Sequence, residues 1–304
     1  MSTRSLWTSS RLGVSQRLGL IQITVTALVW GSGGVVVQLL HTHTGLDPVS
    51  IAFYRLAVAA PLLLVATARK PLMAELRRRP GLLVATGIGL ATYQALYFVA
   101  VADAGVAVAT MLSLGLAPVL ITFGETIHNR RLPAPTTTLM ITAAICGLVL
   151  ISVGGLQNAG GAHRWLGLAC GGASGLGYAI TTALSGRMAA TMSPSVLAAI
   201  TTTVGAMVLA PVAAVIGLGF TVTTGSVLAL AYLGPITTAA AYVLFYLGLR
   251  TTAARTAAML TLLEPLAAAV LAQVVLAQPL TAMIVSGGAL MLTAVAILYA
   301  LGEP

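Results

Sequence analysis

Two ionisable residues, Arg55 and Glu264, stand inside otherwise apolar runs of the sequence. A charge in hydrocarbon costs about 2.5–3.5 kcal/mol on insertion scales, so each demands a reason. Glu264 is either a protonatable or cation-binding carboxylate whose partner alternates, or half of a fixed ion pair, or a carboxyl kept uncharged by desolvation. Counted from the run boundaries at Pro48 and Ala254, Arg55 lies about 10 Å deep and Glu264 about 15 Å deep, entered from opposite faces. In a core of about 30 Å their depths then differ by about 5 Å, a gap that long side chains span. Tyr93 and Tyr97 share a helix face at i, i+4, and Tyr242 and Tyr246 repeat that spacing. With Trp30, Ser32, Gln38, Gln94 and Tyr178 they would line a half-apolar pocket for a small amphipathic solute. The alternative is an interfacial aromatic belt or ordinary helix packing. Trp165, beginning a run beside Arg164, reads as belt, whereas Trp30 lies halfway along its run, too deep for one. Pro118 and Pro265 free the carbonyls of Leu114 and Thr261, which makes them either hinges or merely structural kinks. Gly167, Gly171 and Gly175 recur on one face and admit a close neighbour.

The elements that must position these groups follow from composition. Of 304 residues, 58% are hydrophobic and 7% charged, with a mean hydropathy of +1.01. A soluble domain carries roughly 25% charged residues, so this chain cannot cover a water-facing surface. A soluble enzyme, a disulfide scaffold and a disordered regulator are excluded. Ten apolar runs of 18 residues or more are found: 18–40, 49–68, 82–102, 104–127, 136–153, 165–187, 195–217, 227–249, 254–277 and 280–300. Strand alternation is absent, which argues against a barrel. The first run is followed by more of the same and has no convincing cleavage site, so it reads as a span and not a signal peptide.

Lys and Arg set the orientation. With the N-terminus in the cytoplasm, the inner segments hold Arg4, Arg11, Arg17, Arg69, Lys70, Arg77, Arg78, Arg79, Arg130, Arg131, Arg187, Arg250 and Arg255, and the outer ones Arg164 alone. The positive-inside rule asks for this bias. The net charge of +9 therefore reports topology and not a nucleic-acid partner. Cys146 and Cys170 fall within apolar runs and read as small buried hydrophobes.

The halves resemble each other. Tyr93 and Tyr97 recur as Tyr242 and Tyr246 at an offset of 149, Pro118 recurs as Pro265 at 147, and Asp47-Pro48 corresponds to Ser193-Pro194. Five spans per copy means that the second enters the membrane in the opposite sense. The expected fold is an all-α membrane protein, ten transmembrane helices in two inverted five-helix repeats with both termini cytoplasmic. Its parts are a tail (1–17), a first repeat (18–153), a connector (154–164) and a second repeat (165–301). Secondary transporters are built in this way, with solute bound near the midplane.

Trp30-Gly31-Ser32, Phe53-Tyr54-Arg55, Ala117-Pro118 followed by Gly124-Glu125, and Leu263-Glu264-Pro265 resemble the recurring segments of EamA-type permeases in the drug/metabolite transporter superfamily. The resemblance covers about residues 18–300 in two tandem copies. The second copy departs from it at Ala277-Gln278, where a Gly-Glu pair is common, so Glu125 need not have a symmetric counterpart. The resemblance implies a plasma-membrane carrier that works by alternating access and most often exports amino acids, other metabolites or drugs.

No Gly-x-x-x-x-Gly-Lys-Ser/Thr loop is present, which excludes ATP hydrolysis by this chain. A gradient of solute, protons or another coupling ion must supply the energy. No metal or cofactor is expected. His41 and His43 read as solvated connector residues, as do His128 and His163. The runner-up is a multidrug or lipophilic-cation exporter, with Glu264 as its deep anion. A membrane-embedded transferase would need acids or histidines clustered at one face, and the six acids are scattered. A channel would show rings of polar residues.

Overall fold

The computed structural model describes residues 14–104, 106–154, 163–276 and 281–301, and no strand occurs among them. Arg4, Arg11, Ala277-Gln278 and most of the 154–164 connector lie outside the described residues. In hydrocarbon a backbone must satisfy its polar groups internally, which a helix does. The helices are α1 (Val14–Thr44), α2 (Pro48–Ala66), α3 (Leu72–Arg78), α4 (Pro80–Ala104), α5 (Val106–Asn129), α6 (Pro135–Gly154) and α7 (Arg164–Ala189) in the first part of the chain. They continue as α8 (Pro194–Ile216), α9 (Thr224–Leu233), α10 (Ala241–Gly248), α11 (Ala254–Thr261), α12 (Leu263–Leu276) and α13 (Ala282–Leu301).

Starts and stops follow local chemistry. α2 and α8 both begin at a proline in the first helical position, and the Asp47 side chain accepts from the Val49 N–H at 2.8 Å. α1 ends where Gly45 turns to φ +68°. It thus extends a turn beyond the expected boundary, and His41 and His43 belong to its last turn, where their Nδ1 atoms meet the carbonyls of Leu46 and Leu39. His128 likewise lies in α5 and not in a connector.

Nine helical stretches among the described residues are long and apolar enough to cross a membrane. α7 is not one of them. At 26 residues it has the length, but five glycines between positions 167 and 177, with Ser174, Thr181, Thr182 and Ser185, dilute its hydropathy. It compensates by packing along α4 and α5.

Equivalent helices of the two halves run in opposite senses. Near the start of α2, Ser50 Oγ donates to Gly217 O at 2.8 Å, while beyond its end Lys70 Nζ donates to Ser195 Oγ at 2.6 Å, at the start of α8. α6 and α13 cross in the same antiparallel way: Gly147 faces Gly287 and Met291, and Gly287 faces Gly147, Leu150 and Ile151. The other contacts exchange in step. α4 against α7 is matched by α10 against α1, and α5 against α7 by α11 and α12 against α1.

At the α6–α13 crossing a Cβ on Gly287 would stand 2.5 Å from Gly147 O, a backbone atom that cannot rotate away. Gly287→Val should therefore part the two helices and destabilise the protein by about 1–3 kcal/mol. Thermal unfolding in detergent checks this, with Gly172→Ala as control, since nothing lies within 4 Å of that position. Equal melting of the two variants would refute the crossing.

Candidate functional site

The aromatic residues converge where the halves meet. Trp30 of α1 is 8% exposed, and its ring stands 5.2 Å from that of Tyr242 in α10. Across the same junction Tyr178 of α7 stands 5.2 Å from Tyr93 of α4. These are equivalent pairs, since Trp30 and Tyr178 lie 148 apart and Tyr93 and Tyr242 lie 149 apart. Between the pairs the Tyr93 and Tyr242 hydroxyls share a hydrogen bond of 3.0 Å, which joins a residue to its own counterpart. Gln94 Nε2 reaches the Tyr242 hydroxyl at 3.4 Å. Tyr246 completes the cluster and shares a bond with Thr201 at 3.2 Å.

The cavity among these rings is small, about 10 Å³, room for a single water. The residues expected to line a pocket gather around this space, held together by ring contacts and the Tyr93–Tyr242 bond. Leu90, Thr181, Thr182, Ser185 and Phe245 join the lining. Of the α7 hydroxyls Tyr178 alone is expected from the sequence, although Ser174, Tyr178, Thr181, Thr182 and Ser185 follow helical periodicity and mark a polar face.

Other expected members sit elsewhere. Ser32 shares a hydrogen bond with Tyr232 at 2.6 Å and borders a second cavity, of about 230 Å³, with Val35, Val36, Leu39, Leu271 and Val275. Gln38 is exposed, two turns farther along α1, and takes no part in the cluster. Tyr97 points to α5, where it shares a bond with Thr110 at 3.1 Å. Trp165 is 83% exposed, as a belt residue would be.

Arg55 and Glu264 are not an ion pair. The pairs among the described residues are Arg78–Glu75 and Arg255–Glu125. Arg55 Nε donates instead to Thr238 Oγ1 at 3.3 Å. Both border the aromatic cluster: Glu264 O lies against Gly31, the residue after Trp30, and Arg55 reaches the turn whose Thr237 O holds the Trp30 indole.

The partner of Arg55 exists because the eighth span is broken. Pro235–Ala240 is a π-helical turn between α9 and α10, with Ala239 N bonded to Gly234 O at 2.8 Å. Pro235 has no N–H for the carbonyl four residues back, and the Thr237 and Thr238 hydroxyls both donate to Leu233 O. This turn presents Thr237 O to the Trp30 indole N–H at 3.0 Å and Thr238 to Arg55. The Gly234-Pro235 pair was the available signal.

The two prolines behave differently. Pro118 lies inside uninterrupted α5, whereas the ninth span breaks at Leu262, three residues before Pro265. At that break Tyr178 donates to Thr261 Oγ1 at 3.0 Å. Pro61 and Pro211 form a further pair, 150 apart, inside α2 and α8. Among the described residues no three His, Cys, Asp or Glu side chains gather as metal ligands would.

The fold has a known counterpart: a protein crystal structure superposes with a TM-score of 0.77 over 96% of this chain and 99% of its own, at 20% identity. No curated protein matches the sequence significantly. The sequence matches the EamA-like transporter family twice, over residues 17–153 and again over 165–300. Apolar helices and this double match converge: the chain is a multi-pass membrane protein and belongs to the EamA-like transporter family.

Proposed function

We propose that this protein is a secondary carrier of the plasma membrane that moves a small organic solute, an amino acid or related metabolite, outward by alternating access. It comprises ten spans, α7 included, as two inverted five-helix repeats with both termini cytoplasmic. The observation that carries the reading is the Tyr93–Tyr242 hydroxyl bond, flanked by the equivalent pairs Trp30–Tyr242 and Tyr178–Tyr93. A self-matched contact at the meeting of two antiparallel copies is where a shared solute chamber belongs. Solute enters when that bond and those ring contacts part. Trp30, Tyr93, Tyr178, Tyr242 and Tyr246 then supply apolar walls, Gln94 and the α7 hydroxyls supply hydrogen bonds, and Arg55 and Glu264 supply charge of each sign. Ser32, Gln38 and Tyr97 serve at the margins. Pro118 and Pro265 act as hinges, the latter at a helix already broken. The ring cluster beside Glu264 also suits a lipophilic monocation, which is the second reading.

Flux of candidate amino acids in proteoliposomes, with and without an imposed pH gradient, tests this. Wild-type protein should move at least one of them faster than protein-free vesicles. Glu264→Gln should fold and lose the response to the gradient. Wild-type rates in that variant across the pH range would remove Glu264 from coupling, and no flux of any amino acid would favour the cation reading.

A further inference from the structure

We infer that the Glu125–Arg255 ion pair is a latch that closes one mouth of the chamber, an inference that rests on the carrier reading above. Glu125 lies one turn from the end of α5, and Arg255 opens α11. Arg255 Nη1 donates to Glu125 Oε2 at 2.8 Å, so the bond joins the first half to the second across 130 positions of sequence. Both residues stand at the end of the molecule that carries Arg130, Arg131 and Arg250, the cytoplasmic end on the proposed orientation.

What lies beneath the pair gives it this role. Ile121 precedes Glu125 by one turn on the same face of α5, and Ala258 follows Arg255 by one turn on α11. Ile121 and Ala258 pack with Ala117, Tyr178 and Ala179 in one buried cluster drawn from α5, α7 and α11. Tyr178 also lines the chamber. Moving outward from the chamber, the order is Tyr178, the apolar plug, then the ion pair. The plug excludes water only while α5 and α11 stay together, and the pair is the ionic tie between them at that end.

Its strength suits a bond that must open in each cycle. The side chains are 23% and 31% exposed, so solvent screens the attraction. The repeat does not duplicate these charges at the other end of the same helices. The repeat places Ala272 opposite Glu125 and Val108 opposite Arg255, at offsets of 147, and neither carries charge. The pair thus has no charged counterpart in the repeat, and removing it biases the carrier toward opening on that side.

The test uses the full chain with Cys146 and Cys170 replaced by alanine and a reporter Ile121→Cys in the plug. A membrane-impermeant maleimide is applied to each face of sealed vesicles in turn. Glu125→Gln and Arg255→Gln should each speed labelling about five- to thirtyfold from the face with the cationic connectors, between the effects of exposed and buried pairs. The exchange Glu125→Arg with Arg255→Glu should restore slow labelling. Unchanged labelling in both single variants overturns the latch, and so does an exchange variant that labels as fast as they do. Flux is scored separately in the same vesicles. Unchanged labelling with intact flux removes the latch alone, whereas absent wild-type flux removes the carrier reading and leaves the ion pair judged by labelling.

Discussion

Trp30→Ala should abolish solute flux, while Trp30→Phe should fold normally and retain roughly a tenth of it. Trp30 is the ring on which the second half of the cluster rests: it touches Tyr242 and Phe245, each at 5.2 Å, and its indole N–H holds Thr237 O at 3.0 Å. Truncation to alanine removes those contacts and leaves a void, a loss of a few kcal/mol in packing. In a bilayer no water-transfer term refills that loss, because lipid tails are as apolar as the side chain removed. Phenylalanine restores most of the ring contact but gives Thr237 O no donor, worth about 1–3 kcal/mol for a buried acceptor left unmade. A loss of about 1.4 kcal/mol at the site is tenfold in rate. Flux and thermal unfolding of the two variants, measured together, separate packing from positioning. Wild-type flux in Trp30→Phe would show that the π turn needs no anchor from α1.

The second large effect is expected at Gly31. A Cβ there would lie 2.5 Å from Glu264 O, 2.7 Å from Ala267 Cβ and 3.0 Å from Ala268 N. Two of those three atoms are backbone, so no rotamer change relieves the clash, and α1 must lift off α12. Gly31→Val should therefore exceed the usual overpacking penalty of about 1–3 kcal/mol, and little monodisperse protein should survive extraction. Any that folds should have lost flux, because lifting α1 displaces Trp30 and Glu264 together. Gly34→Ala is the matched control, with nothing within 4 Å. Recovery of folded, active Gly31→Val would mean that α1 and α12 do not pack as described. The contact also gives the Trp30-Gly31-Ser32 segment a physical reason: the glycine brings two helices into backbone contact so that the tryptophan reaches the centre.

Much of this architecture is legible in the sequence. Apolar runs located the long helices to within a few residues, and of the two tyrosine pairs offset by 149 residues three members, Tyr93, Tyr242 and Tyr246, meet where the halves join while Tyr97 turns to Thr110. What stayed hidden depends on partners distant in sequence. The Arg255–Glu125 bond joins residues 130 positions apart, and Arg55 found Thr238 and not Glu264 because a π turn in another helix presents that hydroxyl. Equal prolines gave unequal outcomes, since helix continuity depends on what neighbours offer the freed carbonyl. Gln38 shows the limit of polarity as a signal: an amide in an apolar run can face outward near a helix end as readily as inward.

The shared chamber is tested most directly by a single cysteine at Thr182, which lines the cluster from α7, in a background lacking Cys146 and Cys170. A membrane-impermeant thiol reagent is added to right-side-out and to inside-out vesicles. Labelling from both faces, slowed in each case by the transported solute, is the result expected of one chamber opening alternately to either side. Labelling from one face only, or rates indifferent to solute, would contradict it.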